Sequence, residues 1–256
     1  MDISKLLKTV KNVDDYISAT EKISSDPNLK IQFNMATVLA LKKIRSIEIE
    51  YFMKCNENGA ALKTFELMLQ TPSSKTWSLL GKELILLIQY WLDAIRKHLI
   101  LHTANWWSFL SALLLFIEKI PTKHLELNNI LIEETMEGLL DLATQTLPDV
   151  NQKFKIVQCL NSFCEKSSRQ IRVAFRKKFE DYFVKLSSQM AVCGDIRTQY
   201  CVMETLLRWL LPRHDPTVRR DACTKWFPGT LYNNDAIDIF MKQPWHNFFK
   251  NVGMES

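Results

Sequence analysis

The sequence predicts an all-α protein assembled from paired helices. Apolar residues recur at helical spacing along most of the chain, glycine is scarce, and helix starts return at a near-constant interval. With 256 residues, 47% apolar and 24% charged, the chain is long enough to bury a large core as one elongated domain or two compact ones. Only six glycines occur, about 2% where about 7% is ordinary, and turn-rich β folds or doubly wound α/β folds need many more. The closest two, Gly59 and Gly81, stand 22 positions apart. No GxGxxG or GxxxxGK[ST] phosphate cradle and no GxSxG nucleophile elbow can therefore be written.

Taken in order, the first half reads as helices near 13–24, 28–54, 57–70, 76–97 and 105–119, with irregular spacing. From His98 to Ile117 twenty residues pass without a formal charge, about the length that spans a bilayer. His98, His102, Thr103 and Asn105 interrupt that run, and "HTAN" reads as a loop and N-cap between two helices. The expectation is no membrane span.

The second half is more regular. Asp149 is placed to cap a helix that turns Phe154, Val157, Leu160 and Cys164 inward, and residues 169–192 form a helix with Ile171, Phe175, Phe179, Phe183, Leu186 and Met190 inward. Gly194 closes that helix in the left-handed conformation and Asp195 caps the next. There Ile196, Tyr200, Met203, Leu207 and Leu210 make the predicted inner stripe, with Glu204 and Arg208 as an i,i+4 pair. Pro212 stops the helix; Asp215 and Pro216 start the following one, whose inner residues are Val218, Ala222 and Trp226.

Helix starts near 126, 169 and 216 lie 43 and 47 apart, and those near 149, 195 and 235 lie 46 and 40 apart. Spacings of this size belong to armadillo and HEAT helix pairs. The predicted fold is an armadillo/HEAT-like right-handed helical solenoid, a single domain over 1–256 with less regular helices over 1–125 and paired helices over 126–256. An irregular helical bundle is the competing reading.

A search for chemistry finds no catalytic, cofactor-binding or metal-binding residue. His98 and His102 form HxxxH without the glutamate of a zinc protease and without a third ligand nearby in sequence. Glu133 with Glu134, and Glu180 with Asp181, are adjacent and point about 100° apart on a helix. The six cysteines contain no CxxC, and the N-terminus alternates charge where a signal peptide would be apolar. Reduced thiols in a cytosolic or nuclear protein are expected.

Charge is unevenly placed. Residues 1–150 carry 16 Lys+Arg against 18 Asp+Glu, and residues 151–256 carry 17 against 10. An acidic partner is to be sought at the basic half. Arg169, Arg172 and Arg176, joined by Lys177 and Lys178, form one group; Arg213, Arg219, Arg220 and Lys225 form another. On neighbouring helix pairs they would make one basic surface for phosphates or an acidic peptide; on a solvated face, Glu180 and Asp181 would pair with Arg176 and Lys177. Trp226, Phe227, Trp245, His246 and Phe248 are candidate partner anchors or, alternatively, the capping core of a last repeat.

The run "SSQMAVCGDIRTQYCVMETLLRWL" followed by "RRDACTKWF" resembles the N-terminal armadillo-like domain of the synaptonemal complex protein 2 family. In that family a helix ending in Gly-Asp leads to a helix of the form Q-x-x-[IV]-x-E-x-L-x-R, met here by Gln199, Val202, Glu204, Leu206, Leu207 and Arg208, and a Trp-Phe pair follows, here Trp226 and Phe227. Helices from about 140 to 192 align in order, and residues 1–120 match only in being helical. The resemblance implies a non-enzymatic scaffold of the meiotic chromosome axis, the lateral element of the synaptonemal complex, in the nucleus and on the chromosome. Its implied partners are axis or centromere proteins, with no membrane, cofactor or small-molecule substrate. Filament building, which the family carries in other regions, is implied for none of these residues. Direct nucleic-acid binding by the basic half is the alternative.

Overall fold

The structure, a computed structural model, describes residues 3–26, 33–70, 74–97, 100–123, 127–209 and 216–232, with positions 235, 237, 238 and 241; the side chains of 74–76, 121–123 and 165–166 are not described. All regular structure among the described residues is helical, as the sequence predicts. The chain divides into two compact units, Met1–Leu142 and Ala143–Ser256.

The first unit holds α1 (Ile3–Thr9), α2 (Val13–Ser25), α3 (Met35–Cys55), α4 (Ala60–Leu69), α5 (Ser74–Arg96), α6 (Trp106–Lys123) and most of α7 (Leu127–Thr144). Asn12 and Asn34 cap α2 and α3, each accepting from the N–H three residues on. These caps satisfy donors that the first helical turn leaves without partners. Asn34 therefore opens α3 at Met35, later than the helix read from residue 28. At the far end Asn56 takes a left-handed conformation, φ 59°, which asparagine tolerates better than most residues.

The loop expected at "HTAN" is present. Residues 100–105 form turns, and the Asn105 N–H donates to Asn56 Oδ1 at 3.0 Å. The core between the helices is aromatic: Phe65 meets Phe116 at 4.5 Å and Phe52 meets Phe109 at 5.0 Å between ring centroids. Trp91, fully buried, donates its indole N–H to Arg45 O at 3.0 Å. No helix among the described residues is long and apolar enough to cross a membrane.

The second unit holds α8 (Val150–Lys166), α9 (Arg169–Lys178), α10 (Glu180–Val192), α11 (Ile196–Trp209) and α12 (Pro216–Trp226). Asp149 and Gln152 form a capping box at α8. Gly194 adopts φ 68°, and Asp195 accepts from Thr198 N at 2.9 Å, so α10 and α11 form the tight hairpin read from the sequence. α8 and α11 run parallel. Thr198 Oγ1 donates to Val150 O at 3.4 Å near their starts, and Thr205 Oγ1 donates to Asn161 Oδ1 at 2.6 Å near their ends. Trp209, fully buried, meets both Phe175 and Phe183.

Two sequence expectations are corrected here. Residues 169–192 are two helices, because Phe179 at φ −112°, ψ 22° breaks the run. Its ring stacks on Phe175 at 5.6 Å and 16°, while α10 aims Phe183 at Trp209 and Trp226.

The face of α11 is also different. Ile196 is 78% exposed, and Tyr200, Met203 and Leu207 are half-buried, whereas Thr198, Cys201, Val202, Thr205, Leu206 and Trp209 are buried. The threonines go inside because their hydroxyls are hydrogen-bonded there: Thr198 to Asp195 and Val150 O, and Thr205 to Asn161 and Cys201 O. A buried hydroxyl is tolerated once it is paired. Leu210, Pro212 and Asp215 lie outside the described residues.

Candidate interaction surface

α9 owes its position to one side chain. Phe175 is its only buried residue, and its ring meets Trp209 at 6.4 Å. Ser168 caps the helix, accepting from Ile171 N at 3.3 Å. The rest of the ten-residue sequence, RQIRVAFRKK, carries five cations and no anion. Arg169, Lys177 and Lys178 are exposed, and Arg172 and Arg176 are half-buried. Lys178 lies over the Phe179 ring at 4.8 Å, a cation–π contact.

The expected neutralisation of this helix does not occur. Glu180 pairs with Lys225 of α12 at 2.7 Å, not with Arg176 or Lys177. Among the described residues none of the five α9 cations forms an ion pair. The Nε atoms of Arg172 and Arg176 are shielded from solvent and meet no acceptor among the described residues.

The second basic group lies on α12 and reaches the α9–α10 junction through Lys225, which pairs with Glu180. Arg220 is exposed and Arg219 half-buried on α12, whose main packing partner is α10, whereas α9 packs on α11. Lys225 is exposed but occupied by Glu180. Arg213 and Trp245, with His246 and Phe248, lie outside the described residues. Trp226 and Phe227 are 0% and 3% exposed, which corrects their reading as surface anchors. Trp226 packs on Phe183 at 5.5 Å, and Phe227 meets Tyr232 edge-on at 5.1 Å.

The residues that carry the family resemblance are also structural. Val202 and Leu206 are buried, Arg208 clamps Glu204 with Nε and Nη2 at 2.8 and 2.6 Å, and Gln199 donates to Met190 O at 3.1 Å. They describe how helices pack.

One buried polar cluster escapes sequence reasoning. Glu48, inside α3 and fully buried, accepts from Tyr16 Oη, from Gly59 N at 2.7 Å and from Ala61 N at 3.0 Å. Thr20 Oγ1 accepts from Ala60 N at 3.0 Å. Together α2 and α3 cap α4, whose own N-cap, Gly59, offers no side chain. A Cβ on Gly59 would stand 2.5 Å from the Tyr16 ring, so only glycine lets the three helices approach this closely. Burial pushes the Glu48 carboxyl up, against the pull of the N–H groups of Gly59, Ala61 and Leu62 and the Tyr16 hydroxyl. Burial and the neighbouring Glu48 charge push the Tyr16 phenol well above its usual range. The cluster is closed around a helix start and is read as structural.

Four of the cysteines, Cys159, Cys164, Cys201 and Cys223, are buried, and all six are free thiols. Burial holds the Cys201 thiol at about 12 and the Cys223 thiol at about 11. No group of three or more metal-ligating side chains occurs among the described residues. His102 lies in a turn before α6, and His98, the other half of HxxxH, lies outside the described residues.

Comparison with family models, curated proteins and solved structures finds no match to this chain.

Proposed function

We propose that the chain is a non-enzymatic helical-repeat scaffold that docks an acidic partner on α9. The observation that carries this reading is the concentration of five cations, none of them ion-paired among the described residues, on a helix that buries a single side chain. An uncompensated cationic surface raises the local concentration of an acidic partner and orients it.

Repetition at near-constant separation supports a solenoid of armadillo/HEAT type. In the second unit Asn161 bonds Cys201 O, 40 residues on, and Arg197 bonds Asn151, 46 residues back. In the first, Lys42 pairs with Glu83, Trp91 bonds Arg45 O and Arg96 pairs with Glu137, at separations of 41, 46 and 41. Equivalent helices of successive pairs meet at such offsets. The resemblance of 187–227 to the synaptonemal complex protein 2 family supplies the setting: a nuclear, chromosomal scaffold whose partners are axis or centromere proteins.

The test is recovery of chromosomal proteins from meiotic cell extract by the full chain and by Arg169→Glu/Arg176→Glu. Loss of axis or centromere proteins with the double variant, at unchanged melting temperature, supports the reading. Equal recovery with both proteins overturns it. The surplus of seven cations over residues 151–256 favours direct nucleic-acid binding as a second reading; that binding would weaken steeply as salt rises.

A further inference from the structure

We infer that the partner segment lying on α9 is an acidic peptide with an apolar anchor, its carboxylates on the arginines and its anchor on Val173. This rests on the proposed docking at α9 and specifies its chemistry. Successive residues of a helix are about 100° apart, so Arg169, Val173, Arg176 and Lys177 share the outward face and Val173 stands among the three cations. Val173 is 36% exposed, and Ala174 beside it is exposed as well. Arg169 and Arg176 lie two turns apart, about 10 Å along the axis, which suits acidic side chains one or two turns apart on a short segment.

A carboxylate on a flexible side chain meets the exposed cations Arg169 and Lys177 directly, and the planar fork of arginine matches it in two-point contact. A phosphodiester strand would meet the exposed cations but has no use for an apolar centre. An acidic segment with a leucine-like residue uses both.

Fluorescence anisotropy of the full chain with three labelled probes tests this. The first is a short peptide of Asp and Glu with leucine at helical spacing; the second replaces every leucine by serine at equal charge; the third is single-stranded DNA. The leucine peptide is expected to bind about tenfold more tightly than the serine peptide, the factor that partial burial of one apolar side chain supplies. Val173→Ser should remove that advantage and leave the serine peptide unaffected, whereas Arg169→Glu/Arg176→Glu should weaken both. Equal binding of the two peptides, or an advantage that survives Val173→Ser, overturns the inference while leaving anion docking at α9 in place. Tighter binding of DNA than of the leucine peptide overturns it in favour of nucleic acid. Binding of no probe removes the docking reading as well.

Discussion

Tyr16 donates its hydroxyl proton to Glu48, 32 residues away, and the same oxygen accepts from Ala61 N at 2.6 Å. One phenol thus links a fully buried carboxylate to the start of a third helix. Tyr16→Phe keeps the ring and removes both hydrogen bonds, leaving Glu48 short of a donor. Unfolding in urea should show a loss of about 1–3 kcal/mol, the cost of stranding a buried polar group. A loss within error would mean that the cluster adds nothing to stability.

Glu48 also sets a pH dependence. Its carboxyl is raised above the ordinary value of 4.5 by burial, so the folded state holds the proton more tightly than the unfolded chain. The stability it contributes is complete below the unfolded value and falls as pH rises through the folded one. Glu48→Gln cannot ionise. The difference in melting temperature between wild type and variant should shift in favour of the variant as pH climbs from 4.5 upward; a shift the other way would show that the N–H groups of α4 outweigh burial.

Trp226 separates core from surface. With its side chain fully buried against Phe183, Trp226→Ala should cost about 3–5 kcal/mol. Arg220→Glu, at an exposed position of the same helix, should stay within about 0.5 kcal/mol. Thermal melts of the two variants measure the contrast. Comparable losses would contradict the placement of α12.

Thiol labelling reports the same burial. Cys55 and Cys193 are half-buried and should react first with an alkylating reagent at pH 8, while Cys159, Cys164, Cys201 and Cys223 wait for unfolding. Cys201, held at about 12 by burial, and Cys223, at about 11, carry little thiolate as long as they stay buried. Mass spectrometry of the alkylated protein counts the reacted sites, and early modification of Cys201 would sink this assignment.

What was legible in the sequence was local. Asp149, Gly194 and Asp195 punctuate their helices through partners within a few residues, so their roles could be read from spacing alone. The face of α11 could not: Thr198 and Thr205 are polar by type and go inside because of Val150 and Asn161, more than forty positions away. Glu48 carries no signal in the sequence, since its partners arrive from α2 and the start of α4. The α9 cations were legible as a group. The pairing of Glu180 with Lys225 was not, because it joins residues 45 positions apart.

The capping of α4 from outside has a further result. Its first N–H groups are served by Tyr16, Thr20 and Glu48, so the helix owns no start of its own. Amide protons at the head of α4 should exchange at the pace set by α2 and α3, and a protease that nicks the chain ahead of Tyr16 should loosen residues some forty positions downstream. In this region heredity of order runs sideways through space: a substitution in α2 is felt first in α4.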